Sequence, residues 1–228
     1  HLKNALLSLP KSKFLPAAYH DFLKQSNSGV VRLFSSIRLR TRPEVRRKGT
    51  EKLFIGGVPG DGFSYSIRRK EHTYQLLSDF TLDGENLVFG GAFNQSLVAD
   101  LGNVEPGSVE ANHSAVRDIL TFQPSTVIET VLKKEAEIEK GIKLGDYSWT
   151  RSVPTRTNVT YLARVIAYDN IIEKKKDGPG RAARFSFLRE DERRDFVFVF
   201  RVVAIEDDGG VTLIYRELIR NKSPILVL

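Results

Sequence analysis

The sequence predicts an α+β protein that is predominantly antiparallel β, with about ten strands, a short N-terminal helix and a central helical segment. Two observations lead to this prediction. Alternating apolar and polar residues, typical of half-buried strands, recur in successive runs along the chain. These runs do not alternate with helices, which favours antiparallel pairing. We expect a sandwich or a partly open barrel.

The first half of the chain begins with a helix and continues in strands. Pro16 suits the start of a helix, and Tyr19 and Phe22 recur at helical spacing. Asp83-Gly84 stands between two alternating runs, which is a strong hairpin signal. The predicted strands of this half are 30–41, 52–58, 63–69, 73–82, 86–93 and 95–101.

The centre of the chain is helical, and strands return after it. Ser114 is placed to cap a helix over 115–122. Thr126 and Glu129 form a capping-box pattern for a second helix that ends near Lys140. The strands predicted after it are 147–153, 159–172, 184–188, 195–205 and 211–219, with a hairpin turn over 207–210.

Length and composition limit the classes of protein to consider. The 228 residues predict a single β-rich domain over 1–228 with a helical insert at about 114–141. The absence of cysteine excludes disulfides, thiolate metal sites and a cysteine nucleophile. No apolar run approaches about 18 residues, so no transmembrane segment is expected. The chain lacks methionine and begins at His1, which favours a processed or trimmed product and an exported or membrane-peripheral location over a cytoplasmic one.

The clearest charged feature is a run of basic residues between positions 32 and 48. Seven Lys and Arg residues stand there against Glu44 alone, so the run holds +6 of the formal net charge of +7. Four even-numbered arginines share strand parity and form a row on one strand face: Arg32, Arg38, Arg40 and Arg42. The residues predicted to contact an anionic partner are Arg38, Arg40, Arg42, Arg46, Arg47 and Lys48.

Such a row can contact an acidic protein surface, an anionic membrane surface or a polyanion. The alternative is an edge strand that charge protects from aggregation. No RNA-binding aromatic signature or helix-turn-helix pattern accompanies the row, so sequence-specific nucleic-acid recognition is not expected. The prediction is a non-catalytic binding or scaffolding protein, for example an accessory subunit.

Candidate catalytic groups are dispersed along the chain. The four histidines, His1, His20, His72 and His113, lack zinc-ligand spacing, and no Gly-x-Ser-x-Gly elbow is present. The acidic turns at 190–192 and 207–208 lack calcium-loop spacing. We therefore predict no catalytic residue, metal or cofactor. A hydrolase with a dispersed Ser, His and acid site is the alternative.

The stretch 195–205 is apolar on both strand faces. Phe196, Phe198 and Phe200 alternate on one face, with valines opposite, which suits a central strand packed on both sides. A core role is the simpler interpretation. A cavity lined by these rings, or a pocket between the sheet and the helix at 126–140, would instead indicate a carrier of an apolar ligand.

Two segments carry a resemblance to other proteins. One comprises residues 15–24 and 29–33, and the other comprises 195–203 and 208–216; shorter stretches at 101–104 and 158–162 are also similar. These segments resemble a group of hypothetical bacterial proteins, associated with acidobacteria, that have no known activity. The resemblance runs along most of the chain and implies one domain. It transfers no functional residue, and the basic cluster at 38–48 is not part of it.

Overall fold

The structure, a computed structural model, describes residues 17–35, 62–172 and 191–227. The helices are α1 (His20–Leu23), α2 (Ser114–Leu120) and α3 (Ile128–Lys140). The strands of the described residues are β1 (Ser28–Leu33), β2 (Ser64–Ser66), β3 (Glu71–His72), β4 (Phe80–Asp83), β5 (Asn86–Phe89), β6 (Asn94–Gly102), β7 (Ile142–Leu144), β8 (Tyr147–Trp149), β9 (Ser152–Pro154), β10 (Thr160–Ala167), β11 (Asp169–Ile172), β12 (Arg194–Ile205), β13 (Val211–Lys222) and β14 (Ile225–Val227).

Two five-stranded antiparallel sheets form the body of the fold. The first sheet has the order β1-β13-β12-β10-β6, and the second has the order β3-β2-β4-β5-β9. Two small pairs accompany them, antiparallel β7–β8 and parallel β11–β14. The predicted α+β, mostly antiparallel fold class is confirmed. The sheets of the described residues are not closed into a barrel, which is consistent with the predicted sandwich.

A core rich in aromatic rings fills the space between the two sheets. Phe198 of β12 lies 6.3 Å from Phe80 and 6.2 Å from Phe89 of the facing sheet, between ring centroids. Phe200 stacks on Tyr161 at 5.0 Å. The alternating phenylalanines are therefore core residues, as their spacing predicts.

The opposite face of the first sheet carries the helices. Val197 and Val199 of β12 pack there in one cluster with Ile119 of α2 and with Val131 and Ile138 of α3. The strand is thus covered on both sides, which explains why its sequence is apolar throughout. No helix of the described residues is long and apolar enough to cross a membrane.

The helix ends are only partly those predicted from the sequence. α3 ends at Lys140 before Gly141, whose φ is +95°, as the glycine predicts. The predicted caps are wrong. His113, not Ser114, caps α2 by accepting the Ala115 N–H at 3.2 Å. α3 begins after Val127 without a side-chain cap, and the predicted capping box is not formed.

Strand boundaries also differ from the prediction in places. The expected strand 73–82 is a 3₁₀ turn, Gln75–Leu77, followed by β4. The expected strands 147–153 and 159–172 are each divided in two. Both predicted hairpins, β4–β5 and β12–β13, are confirmed. The predicted strands 52–58 and 184–188 lie outside the described residues, as does the end of 30–41 beyond position 35.

Candidate functional site

The basic residues predicted to contact a partner fall in a part of the chain that the structure does not describe. Arg38, Arg40, Arg42, Arg46, Arg47 and Lys48 all lie between described residues 35 and 62. The described residues do place the two ends of this stretch. Just beyond β1 and just before β2, the Phe34 N–H donates to the Gly62 carbonyl oxygen at 3.1 Å. We call the contact between Phe34 and Gly62 the junction, and it links the first sheet to the second.

Aromatic and charged side chains surround the junction. The Arg32 guanidinium lies 5.2 Å from the centre of the Phe34 ring, and the His72 ring lies 6.4 Å from it. Gly62 has a φ of +68°, a conformation that favours glycine, and an added Cβ would meet the Phe34 ring at 3.4 Å. The junction therefore depends on this glycine and on ring packing.

Arg32 is the one member of the arginine row in the described part of the chain. It lies on β1, the edge strand of the first sheet, and its guanidinium is 2.9 Å from Glu206 and 3.7 Å from Asp208. These carboxylates belong to the β12–β13 turn. Arg32 is thus bound by its own chain, and a role in protecting an edge strand fits its position.

Charge is distributed unevenly between the described residues and the rest of the chain. The described residues contain 19 Lys and Arg against 22 Asp and Glu, a formal charge of −3. The remaining residues contain 16 Lys and Arg against 6 Asp and Glu, a formal charge of +10. The excess positive charge of this protein therefore lies wholly outside the described sandwich.

Inside the described residues, the most polar feature is a buried ion network of Arg68, Asp79, Asp191 and Arg193. Arg68 pairs with Asp79 at 2.6 Å and with Asp191 at 2.8 Å, and Arg193 pairs with Asp191 at 2.9 Å. All four side chains are at most 2% exposed. Desolvation opposes the charge on Arg68, but the two carboxylates outweigh it and raise the pKa of Arg68.

Arg193 connects this network to the backbone. Its Nη2 donates to the carbonyl oxygens of Ala92 and Phe93 at 2.7 and 3.0 Å, and its Nε donates to the Tyr168 carbonyl oxygen at 2.8 Å. Burial, followed by repulsion from Arg68, lowers the pKa of Arg193. The contacts join the start of β6 to the end of β10, so the network stabilises one end of the sandwich. It offers no free cationic group to a ligand.

Two further buried arginines are also bound within the fold. Arg164 forms a bidentate pair with Asp195 at 2.7 and 2.8 Å and donates to two carbonyl oxygens at the end of α2. Arg201 donates to the Tyr19 hydroxyl and to the Asn103 side-chain oxygen at 3.1 and 2.7 Å. The sequence patterns described above do not predict these roles. A signal was present, since both arginines interrupt otherwise apolar strand runs.

The described histidines are not arranged for nucleophilic catalysis. His72 Nδ1 lies 3.2 Å from the Ser64 carbonyl oxygen, His113 caps α2, and His20 is exposed. In the described ranges, no hydrogen bond joins a histidine to a serine hydroxyl or a carboxylate. No group of three or more His, Cys, Asp or Glu residues in those ranges is placed to hold a metal ion. The hydrolase alternative gains no assembled site from this part of the chain.

The carrier alternative also finds no support in the described packing. The space between the sheets is filled by the phenylalanine core. Between the first sheet and α3, Val131 and Ile138 are buried, and the Gln95 side-chain amide donates to the Val131 carbonyl oxygen at 3.3 Å. An open polar depression of about 570 Å³ does lie beside Arg216, but this arginine donates to Gln25 and to the Val109 carbonyl oxygen.

No protein-family model, curated protein or solved structure matches this chain.

Proposed function

We propose that this protein is a non-catalytic binding or scaffolding protein, for example an accessory subunit, that contacts an anionic partner through the basic residues at 38–48. The observation that carries the proposal is the uneven charge distribution, −3 in the described residues against +10 in the rest. Charge that serves only solubility is usually interspersed with both signs over a surface. A basic stretch in a chain whose described part is acidic instead favours directed contact with an anion.

The described arginines support this proposal by what they already bind. Arg32, Arg164 and Arg201 contact carboxylates, carbonyl oxygens and side-chain oxygens of the same chain. The buried ion network adds Arg68 and Arg193 to this group. These guanidinium groups are engaged within the fold, so they are not available to an anionic partner.

Binding of this type depends strongly on salt. Exposed charges are screened beyond about 8 Å at physiological ionic strength. If the six basic residues contacted a polyanion as they would DNA, affinity would fall about 10³-fold between 50 and 200 mM salt. Binding to an acidic protein surface or to an anionic membrane would depend on the same charge attraction. Experiment distinguishes among these partners.

The test compares the parent with the variant Arg38→Glu, Arg40→Glu, Arg42→Glu. Binding to heparin and to vesicles containing anionic lipid is measured at low and at physiological salt. We expect the parent to bind at least one probe at low salt and the variant to lose that binding while remaining folded by circular dichroism. A folded variant that binds as well as the parent, or a parent that binds neither probe at low salt, overturns the proposal.

A further inference from the structure

His72 lies beside the junction, on the two-residue edge strand β3. Its ring meets the Tyr65 ring edge-on at 5.4 Å and lies 6.4 Å from the Phe34 ring. Its Nδ1 lies 3.2 Å from the Ser64 carbonyl oxygen. A carbonyl oxygen only accepts hydrogen bonds, so Nδ1 carries the hydrogen and Nε2 is unprotonated in the neutral ring.

We propose that His72 is a proton switch at the junction: the neutral ring holds Phe34 against Gly62, and the protonated ring loosens this contact. The consequence for anion binding rests on the proposed function, because Arg38, the first of the basic residues at 38–48, is four positions after Phe34 in the chain. The switch itself concerns only described residues.

The surroundings of His72 disfavour a second proton. Within the described ranges no carboxylate hydrogen-bonds to the ring, and the neighbouring Glu71 pairs with Arg69 at 2.6 Å. Arg32, a cation, lies over the Phe34 ring that His72 also approaches. The titratable group that contacts His72 is the Tyr65 phenol, and burial raises its pKa, so it stays uncharged at neutral pH.

The electrostatics agree with this geometry. Desolvation lowers the pKa of His72, and the hydrogen bond to the Ser64 carbonyl oxygen only partly opposes it. Protonation therefore places a charge on a half-buried ring held between two aromatic side chains. We expect the protonated ring to move out by local opening of β3, which requires the least free energy. β3 pairs with β2 at only two positions, Tyr65↔His72 and Ser66↔Glu71. When His72 moves out, the Phe34 ring loses one of its packing partners.

Hydrogen exchange of the Phe34 amide reports the junction directly, because this N–H donates to Gly62. We expect its protection factor to fall by at least about threefold between pH 7 and pH 5 in the parent. The exposed His20 provides the matched control, and His20→Gln should behave like the parent. His72→Gln, or His72→Phe if the first variant does not fold, should show no such fall. A constant protection factor in the parent, or the same fall in a folded His72 variant, overturns the switch.

Heparin binding at fixed salt, measured at the same two pH values, tests the consequence for the proposed function. We expect the ratio of the two affinities to differ between the parent and His72→Gln. Equal ratios show that the junction does not govern binding and overturn this consequence. If the parent binds no anionic probe, the proposed function fails, whereas the exchange measurement still decides the switch.

Discussion

Two guanidinium groups and two carboxylates form three linked ion pairs of 2.6–2.9 Å at one end of the sandwich, with almost no exposure to solvent. Asp191 occupies the centre of this buried ion network, because one of its oxygens contacts both Arg68 and Arg193. Its other oxygen is buried and has no hydrogen-bond partner among the described residues. Removing one member of a buried ion group leaves an uncompensated charge, so single residues here should matter greatly for stability.

The substitution Asp191→Asn removes the negative charge of this side chain with little change in its shape. We expect it to lower the free energy of unfolding by about 3–5 kcal/mol. Glu71→Gln is the matched control, because Glu71 forms a partly exposed pair with Arg69 and should cost less than about 1 kcal/mol. Urea denaturation of both variants measures the difference. Equal small losses in both variants would contradict the role given to the network.

Two buried tyrosines give a second prediction at the residue scale. The hydroxyls of Tyr65 and Tyr215 lie 3.3 Å apart, and burial is the main cause that raises the pKa of each phenol. Because the unfolded chain loses these protons near pH 10 and the folded chain does not, stability should fall as pH rises above about 10. Absorbance at alkaline pH should show these phenols ionising only as the protein unfolds. Ionisation of all tyrosines in the folded protein near pH 10 would contradict this account.

At the scale of elements, local sequence patterns predicted the fold correctly where a strand face is apolar or where glycine marks a turn or a helix end. The β12–β13 hairpin and the end of α3 at Gly141 are examples. The pattern misled where apolar residues are exposed. Tyr74 and Leu76 are 50% and 60% exposed; Leu76 belongs to the 3₁₀ turn and Tyr74 precedes it, and neither lies in a strand. The parallel pairing of β11 with β14 joins segments far apart in the chain, so no local pattern could indicate it.

Strand β12 supplies a direct test of the aromatic core between the two sheets. Phe198 is fully buried and contacts rings of both sheets, so Phe198→Ala should lower the free energy of unfolding by about 3–5 kcal/mol through cavity formation. Leu132→Ala removes a side chain that is 57% exposed and should cost much less. Thermal and urea unfolding of the two variants provide the comparison. An unchanged melting temperature in Phe198→Ala would show that the phenylalanine row is not core.

At the scale of the whole molecule, the proposed function depends on where charge lies along the chain. The basic run was evident in the sequence because its members are close together. It differs in charge from the described residues, which are acidic overall. The buried ion network was not predictable, because Arg68 and Asp191 are 123 positions apart and meet only in the fold.

The most direct test of the proposed function compares two variants of equal net charge. One carries Arg38→Glu, Arg40→Glu and Arg42→Glu; the other carries Lys133→Glu, Lys140→Glu and Lys143→Glu, at three exposed positions of the described surface. Each set changes the formal charge from +7 to +1, because each of the three reversals removes two charges. Heparin affinity is measured for both at one low salt concentration. We predict a loss of at least about tenfold for the arginine variant and less than about twofold for the lysine variant. Equal losses in the two variants would show that net charge alone governs binding and would contradict a specific role for the basic run.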